Sequence, residues 1–185
     1  MNAAERIFLE CGLHGTTMAA IACRSGMSKK TLYHLFDSKD ALLAAIVERR
    51  FAPLTRPPEA NAGRPLDEML RDLLLQTVNF ILSPEEVAFT RLLIANEGSG
   101  PAVARVLGPQ GVFIGRTTLG LWLASQAATW RIKDVDEAAR LLIGMALGEW
   151  HVRLLLRSIE QPAPELIERW VDRTVAVFLK AIGVA

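Results

Sequence analysis

Lys29 and Lys30 stand side by side, and Thr31, Tyr33 and His34 follow within the next four positions. Such a set is suited to holding anions and hydrogen-bond acceptors. An ammonium group can neutralise a phosphate or donate to guanine O6 and N7. A threonine or tyrosine hydroxyl and an imidazole N–H can donate to phosphate oxygens or base edges. Further on, Ser38 precedes Lys39. A serine cap leaves backbone N–H groups free beside that lysine, which is a ready phosphate site. No other chemistry competes. His14, His34 and His151 are scattered, show no metal-ligand spacing, and form no recognisable motif with Cys11 or Cys23. There is no glycine-rich phosphate loop, nucleophile elbow or paired-carboxylate motif. The expectation is a binding protein with no cofactor and no metal, not an enzyme.

The elements around these residues must position them. Thr16 or Thr17 can cap a helix running to about residue 24. Ala22 is small where two helices cross, Gly26 supplies a turn with positive φ, and Leu32 plugs the crevice between them, with Ile21 and Met27 completing a small core. Ser28 caps the next helix, so Lys29, Lys30 and Thr31 lie in its first turn and Tyr33 and His34 in its second. This is the packing logic of a helix-turn-helix, whose second helix presents its N-terminal residues to the major groove. Lys29, Lys30, Thr31 and His34 are therefore expected near base edges. Thr17, Ser28, Tyr33 and Lys39 are expected to hold phosphates.

Beyond that region, helical periodicity dominates the chain of 185 residues. The expected helices are 3–12, 16–24, 28–34, 38–52, 66–82, 84–97, 101–107, 110–130, 134–157 and 163–182. The proline-rich stretch 53–65 reads as a linker. The fold class is all-α, with nine or ten helices. A three-helix helix-turn-helix domain at 1–50 precedes a larger helical domain at 51–185. Residues 1–56 hold eight Lys/Arg against five Asp/Glu, while the remainder holds thirteen against fifteen. A basic front on a mildly acidic rear suits a nucleic-acid-facing head. The apolar run Leu141–Gly148 spans only eight residues, far short of the roughly twenty a membrane helix needs. The first residues do not read as a signal peptide. A cytoplasmic protein without membrane contact is expected, and Cys11 and Cys23 are expected to be buried, reduced thiols.

Residues 3–43 resemble the DNA-binding domain of the TetR family of bacterial transcriptional regulators. The resemblance rests on Ala3, Ala4, Phe8, Gly12, Thr16 and Thr17. It continues through Ile21, Ala22, Ser25, Gly26, Met27 and Ser28, then Leu32, Tyr33, Phe36, Ser38, Lys39, Asp40 and Leu42. It implies a homodimer on a palindromic operator, most often a repressor that releases DNA when a small molecule binds its C-terminal domain. The sequence departs from the pattern at two places. Leu35 stands where relatives often carry a phosphate-binding His or Tyr. The chain also begins close to Ala3, where relatives usually carry further residues. The expectation is a lowered DNA affinity or a start that lies upstream. The alternative function is a helical sensor or scaffold with weak or lost DNA binding.

In the C-terminal body, the helix at 134–157 carries Leu141, Leu142, Met145, Leu147, Gly148, Val152 and Leu155. The last helix carries Leu166, Ile167, Trp170, Val171, Val175, Phe178, Leu179 and Ile182. Gly144 and Gly148 are expected to open a groove for another helix. The resemblance implies that these two helices form the dimer interface, although packing within one subunit would leave the same pattern. Residues 89–156 resemble the C-terminal domain of AefR-like members. The resemblance places an effector pocket among the middle helices. Its candidate lining is Thr77, Phe80, Phe89, Phe113, Thr117, Trp122, Gln126, Trp130 and Trp150. Large apolar walls with few polar anchors suit an apolar or amphipathic small molecule.

Overall fold

The computed structural model describes residues 2–56, 63–95 and 117–182. These contain ten α-helices and no strand. The helices are α1 (Asn2–Cys11), α2 (Met18–Arg24), α3 (Lys29–Leu35), α4 (Lys39–Phe51), α5 (Leu66–Leu82), α6 (Pro84–Ile94), α7 (Thr118–Gln126), α8 (Val135–Leu147), α9 (Trp150–Leu155) and α10 (Pro164–Ala181). A 3-10 turn, Ala52–Thr55, follows α4. It lies where the sequence suggested only linker. The expected helix at 101–107, the start of the one at 110–130, and Phe113 lie outside the described residues.

The described chain divides into two compact units. The first holds residues up to Pro53 together with residues 88–95; the second holds the rest from Leu54 to Val87 and residues 117–182.

In the first unit, Ala4, Ile7 and Phe8 of α1 pack with Ile21 and Ala22 of α2, Leu32 of α3, and Leu42, Leu43, Ile46 and Val47 of α4. Phe89 and Leu92 join the same core. Glu5 of α1 pairs with both Arg49 and Arg50 of α4, and the Arg50 guanidinium lies 4.6 Å from the Phe89 ring centroid. Phe89, expected in an effector pocket, is thus a core residue of this unit. The thiol expectation fails: Cys11 and Cys23 are both exposed. Met18, Ile21 and Ala22 take the inward face of α2 and leave Cys23 outside.

In the second unit, Leu70, Leu74, Val78 and Leu82 recur every four residues along α5 and are fully buried. They share a core with Leu119, Trp122 and Leu123 of α7, Leu142 and Ala146 of α8, and Ile167, Val171, Val175 and Phe178 of α10. Arg71 of α5 donates to Asp172 of α10 at 2.5 Å. This hydrogen bond is the first cause raising the Arg71 pKa above its ordinary value.

Two helix expectations are corrected here. The helix at 134–157 is broken. Gly148 adopts φ 49°, ψ −134° and ends α8, and α9 starts afresh at Trp150. That backbone conformation is accessible essentially to glycine alone. A Cβ on Gly148 would come no closer than 3.8 Å to any neighbour, so torsion, not close helix approach, explains this glycine. The helix expected over 110–130 shows its first turn at Thr118. Thr117 caps it, the Oγ1 accepting from Gly120 N at 3.2 Å, and it ends at Gln126.

Candidate nucleic-acid interface

The first unit builds a tight bihelical turn from α2 and α3. Thr17 is the cap of α2: its Oγ1 accepts from Ala20 N at 3.1 Å. Thr16 is instead buried, and its hydroxyl donates to Gly12 O at 2.7 Å. At the other end of α2, Gly26 N–H donates to Cys23 O at 3.2 Å and Met27 N–H to Ala22 O at 2.9 Å. This nested pair of hydrogen bonds is a Schellman cap, and it requires a left-handed residue at the inner donor. Gly26 supplies it with φ 67°. Ser28 then caps α3, its Oγ accepting from Thr31 N at 3.0 Å while sharing a 2.8 Å hydrogen bond with Thr31 Oγ1. Ala22 and Leu32 are buried against each other's helices, as their spacing required.

With that frame fixed, Lys29, Lys30, Thr31, Tyr33 and His34 all lie exposed on α3, and Thr17 and Ser28 lie exposed at the two caps. Arg24 pairs with Glu10, and Arg49 and Arg50 share Glu5. Lys29 and Lys30 stand as exposed charges beside the N-terminus of α3. Leu35 is 57% exposed and Tyr33 51%, so the C-terminal end of α3 offers an aliphatic side chain beside a phenol. Lys39 differs from the rest. It is half-buried, and its ammonium donates to the carbonyls of Leu13 and Thr16.

The chemistry available is that of an anion-binding face with donors of several lengths, held by a rigid turn. The comparisons with known proteins decide the family. Residues 1–46 match the bacterial regulatory proteins of the tetR family, and residues 68–184 match the C-terminal domain of AefR-like transcriptional repressors. The chain belongs to the TetR family. TetR-family proteins are transcriptional regulators, not enzymes.

Among curated relatives, the regulator UidR of Escherichia coli K12 is 44% identical over 63 residues, which cover 32% of this chain and 32% of that protein. The matched stretch is thus about a third of the UidR length. The repressor BepR of Brucella suis is 24% identical over 161 residues, covering 80% of this chain and 77% of that protein. Among solved structures, the flavonoid-responsive regulator FrrA superposes with a TM-score of 0.78 at 32% identity, covering 97% of this chain and 93% of that one.

Of the residues expected to line an effector pocket, Phe89 lies in the first unit and the other described ones lie in the second. Trp122 and Trp130 form an edge-to-face pair at 5.3 Å within the core of the second unit. Thr77 is buried there too, its hydroxyl donating back to Leu73 O at 2.8 Å. Phe80 is half-buried on α5. Gln126 Nε2 donates to Ser125 Oγ at 3.0 Å. Trp150 packs against the same core and meets Trp170 with ring centroids 5.8 Å apart and planes tilted by 46°. Two buried polar atoms of the unit have no partner among the described residues: Trp122 Nε1 and His151 Nε2.

The second unit also bears an apolar surface. Leu141 of α8, Val152 of α9, and Leu166, Trp170 and Val177 of α10 are exposed. Trp170 Nε1 donates to Met145 O at 3.0 Å, tying α10 to α8. Between these helices lies an open cavity of about 240 Å³ lined by Met145, Trp170, Arg173, Thr174 and Val177. Periodicity had marked α8 and α10 as apolar. It had not divided each helix into a face turned to its own core and a face turned outward. No described helix is long and apolar enough to cross a membrane.

Proposed function

We propose that this TetR-family regulator is a ligand-responsive homodimeric repressor that binds a palindromic operator in the cytoplasm. The observation that carries DNA recognition is the set of exposed donors on one short helix: Lys29, Lys30, Thr31, Tyr33 and His34, flanked by the caps Thr17 and Ser28. Lys29, Lys30, Thr31 and His34 face base edges, and Thr17, Ser28 and Tyr33 hold phosphates.

The dimer is formed through α8 and α10. Its support is the outward stripe Leu141, Gly144, Met145 and Gly148 on α8 beside Leu166, Trp170, Arg173 and Val177 on α10. A contiguous apolar surface of this kind marks an association site.

The effector is an apolar, oxygen-bearing small molecule, of the planar aromatic kind that the name of FrrA implies for that relative. Trp122 supports this reading. Its indole is 2% exposed, and its N–H has no partner among the described residues. A buried donor without a partner costs roughly 1–3 kcal/mol, and an acceptor oxygen on a ligand would recover it.

The test is fluorescence anisotropy on a duplex from the region upstream of the protein's own gene, titrated at several salt concentrations, then challenged with a flavone. The expected result is tight binding at low salt that weakens steeply as salt rises, and release on adding the flavone. No binding at low salt would refute DNA recognition. Binding without release would refute the effector class.

A further inference from the structure

Lys39 opens α4, where a lysine is electrostatically misplaced. The N-terminus of a helix carries partial positive charge and disfavours a cation. The side chain does not remain over its own helix. It crosses to the loop between α1 and α2, where Nζ donates to Leu13 O and, at 3.2 Å, to Thr16 O. That loop is itself tightly built. Gly12 N–H donates to Phe8 O at 2.9 Å, Thr16 N–H to Leu13 O at 3.4 Å, and the buried Thr16 hydroxyl to Gly12 O at 2.7 Å. The carbonyls of Leu13 and Thr16 are therefore drawn to one point, and an ammonium group sits at that point. Thr16 leads directly into Thr17, which caps α2 through Ala20 N.

We infer that Lys39 is a positioning residue. It clamps the α1–α2 loop to the start of α4 and thereby sets the entry of α2 and the placement of Thr17. This inference rests on the DNA-binding reading of α3 and its caps. The geometry explains why a compact ammonium suits the place. It has three N–H donors on one atom and can serve two carbonyls at once. A guanidinium presents its donors in a planar fork that fits a phosphate well but not two carbonyls converging on one atom. Lys39→Arg therefore separates the two roles. A phosphate contact would survive it, and a clamp would not.

Three measurements test the proposal. In the DNA-free protein, 15N NMR of the lysine ammonium groups is expected to show a slowly exchanging Lys39 signal that does not shift when duplex is added. Lys39→Met and Lys39→Arg are both expected to lower the melting temperature. At a temperature where each variant is fully folded, both should weaken DNA binding about tenfold, and Lys39→Arg should leave the salt slope at its wild-type value. A Thr17→Ala background should shrink the Lys39→Met effect on DNA binding. The proposal is overturned if Lys39→Arg matches wild type while Lys39→Met loses about one unit of salt slope, the signature of a lost phosphate contact. It is also overturned if both variants are less stable yet bind DNA as tightly as wild type, or if the ammonium signal appears only with DNA. Failure of the wild type itself to bind DNA would refute the interface reading and the positioning role together, while the NMR signal would still report on the clamp.

Discussion

Gly26 is the residue on which the geometry of the α2–α3 turn depends. It takes φ 67° within two nested cap hydrogen bonds, and a Cβ there would meet no atom within 4 Å. The cost of replacing it is therefore torsional, not steric. Gly26→Ala is expected to destabilise the first unit by about 1–2 kcal/mol, read as a lower urea midpoint, and to weaken DNA binding by a similar factor at full folding. An unchanged midpoint would mean that the turn relaxes into another form. At this scale the sequence was highly legible, since glycine at the left-handed position, alanine at the crossing and serine at the caps each have one dominant physical reason. Lys39 was not legible. Charge and position suggested an outward anion site, but its acceptors lie 26 and 23 residues back along the chain, and no local pattern encodes the direction of a flexible four-carbon stem.

Among the elements, α8 and α9 show what periodicity leaves open. Both carry apolar residues at helical spacing, and a glycine inside such a run is tolerated at a cost of about 1 kcal/mol. The sequence therefore reads as continuous across Gly148, whereas the backbone there leaves the helical region altogether. The break starts α9 at Trp150 and half-buries His151. Burial lowers the His151 pKa below its ordinary value of 6.5. The folded protein then holds this imidazole neutral where the unfolded chain would take up a proton. The stability it permits is complete above about pH 6.5 and declines as the pH falls below that toward the folded value. His151→Gln should therefore lose less stability than wild type between pH 7.5 and pH 5, as measured by urea midpoints. Equal losses in the two proteins would assign the acid sensitivity elsewhere.

For the whole molecule, the outward face of α8 and α10 carries the assembly claim. Gly144 is exposed on that face, and a Cβ there would meet nothing within 4 Å in the chain. Gly144→Arg should therefore leave the subunit at least as stable, since glycine in a helix interior costs roughly 0.5–1 kcal/mol relative to alanine. The same variant should raise the dimer dissociation constant at least tenfold in sedimentation equilibrium, because a long cation would stand in the interface. A variant as dimeric as wild type would move the interface off this stripe. The all-α class and the helix-turn-helix could be read before any coordinates, because short-range caps and turns determine them. The two faces of α8 and α10 could not. A 3.6-residue period marks apolar positions but does not say whether the side chain meets its own core or a second copy.

The central claim is that α3, held by the α2–α3 turn, reads DNA sequence. The most direct measurement is selection of bound duplexes from a random pool by the wild-type protein and by Lys29→Ala/Lys30→Ala in parallel. Wild type is expected to enrich a palindrome of two half-sites, and the double variant to bind more weakly and lose preference at specific positions within each half-site. Enrichment of the same palindrome, with the same affinity and selectivity, by the double variant would show that α3 does not read the sequence.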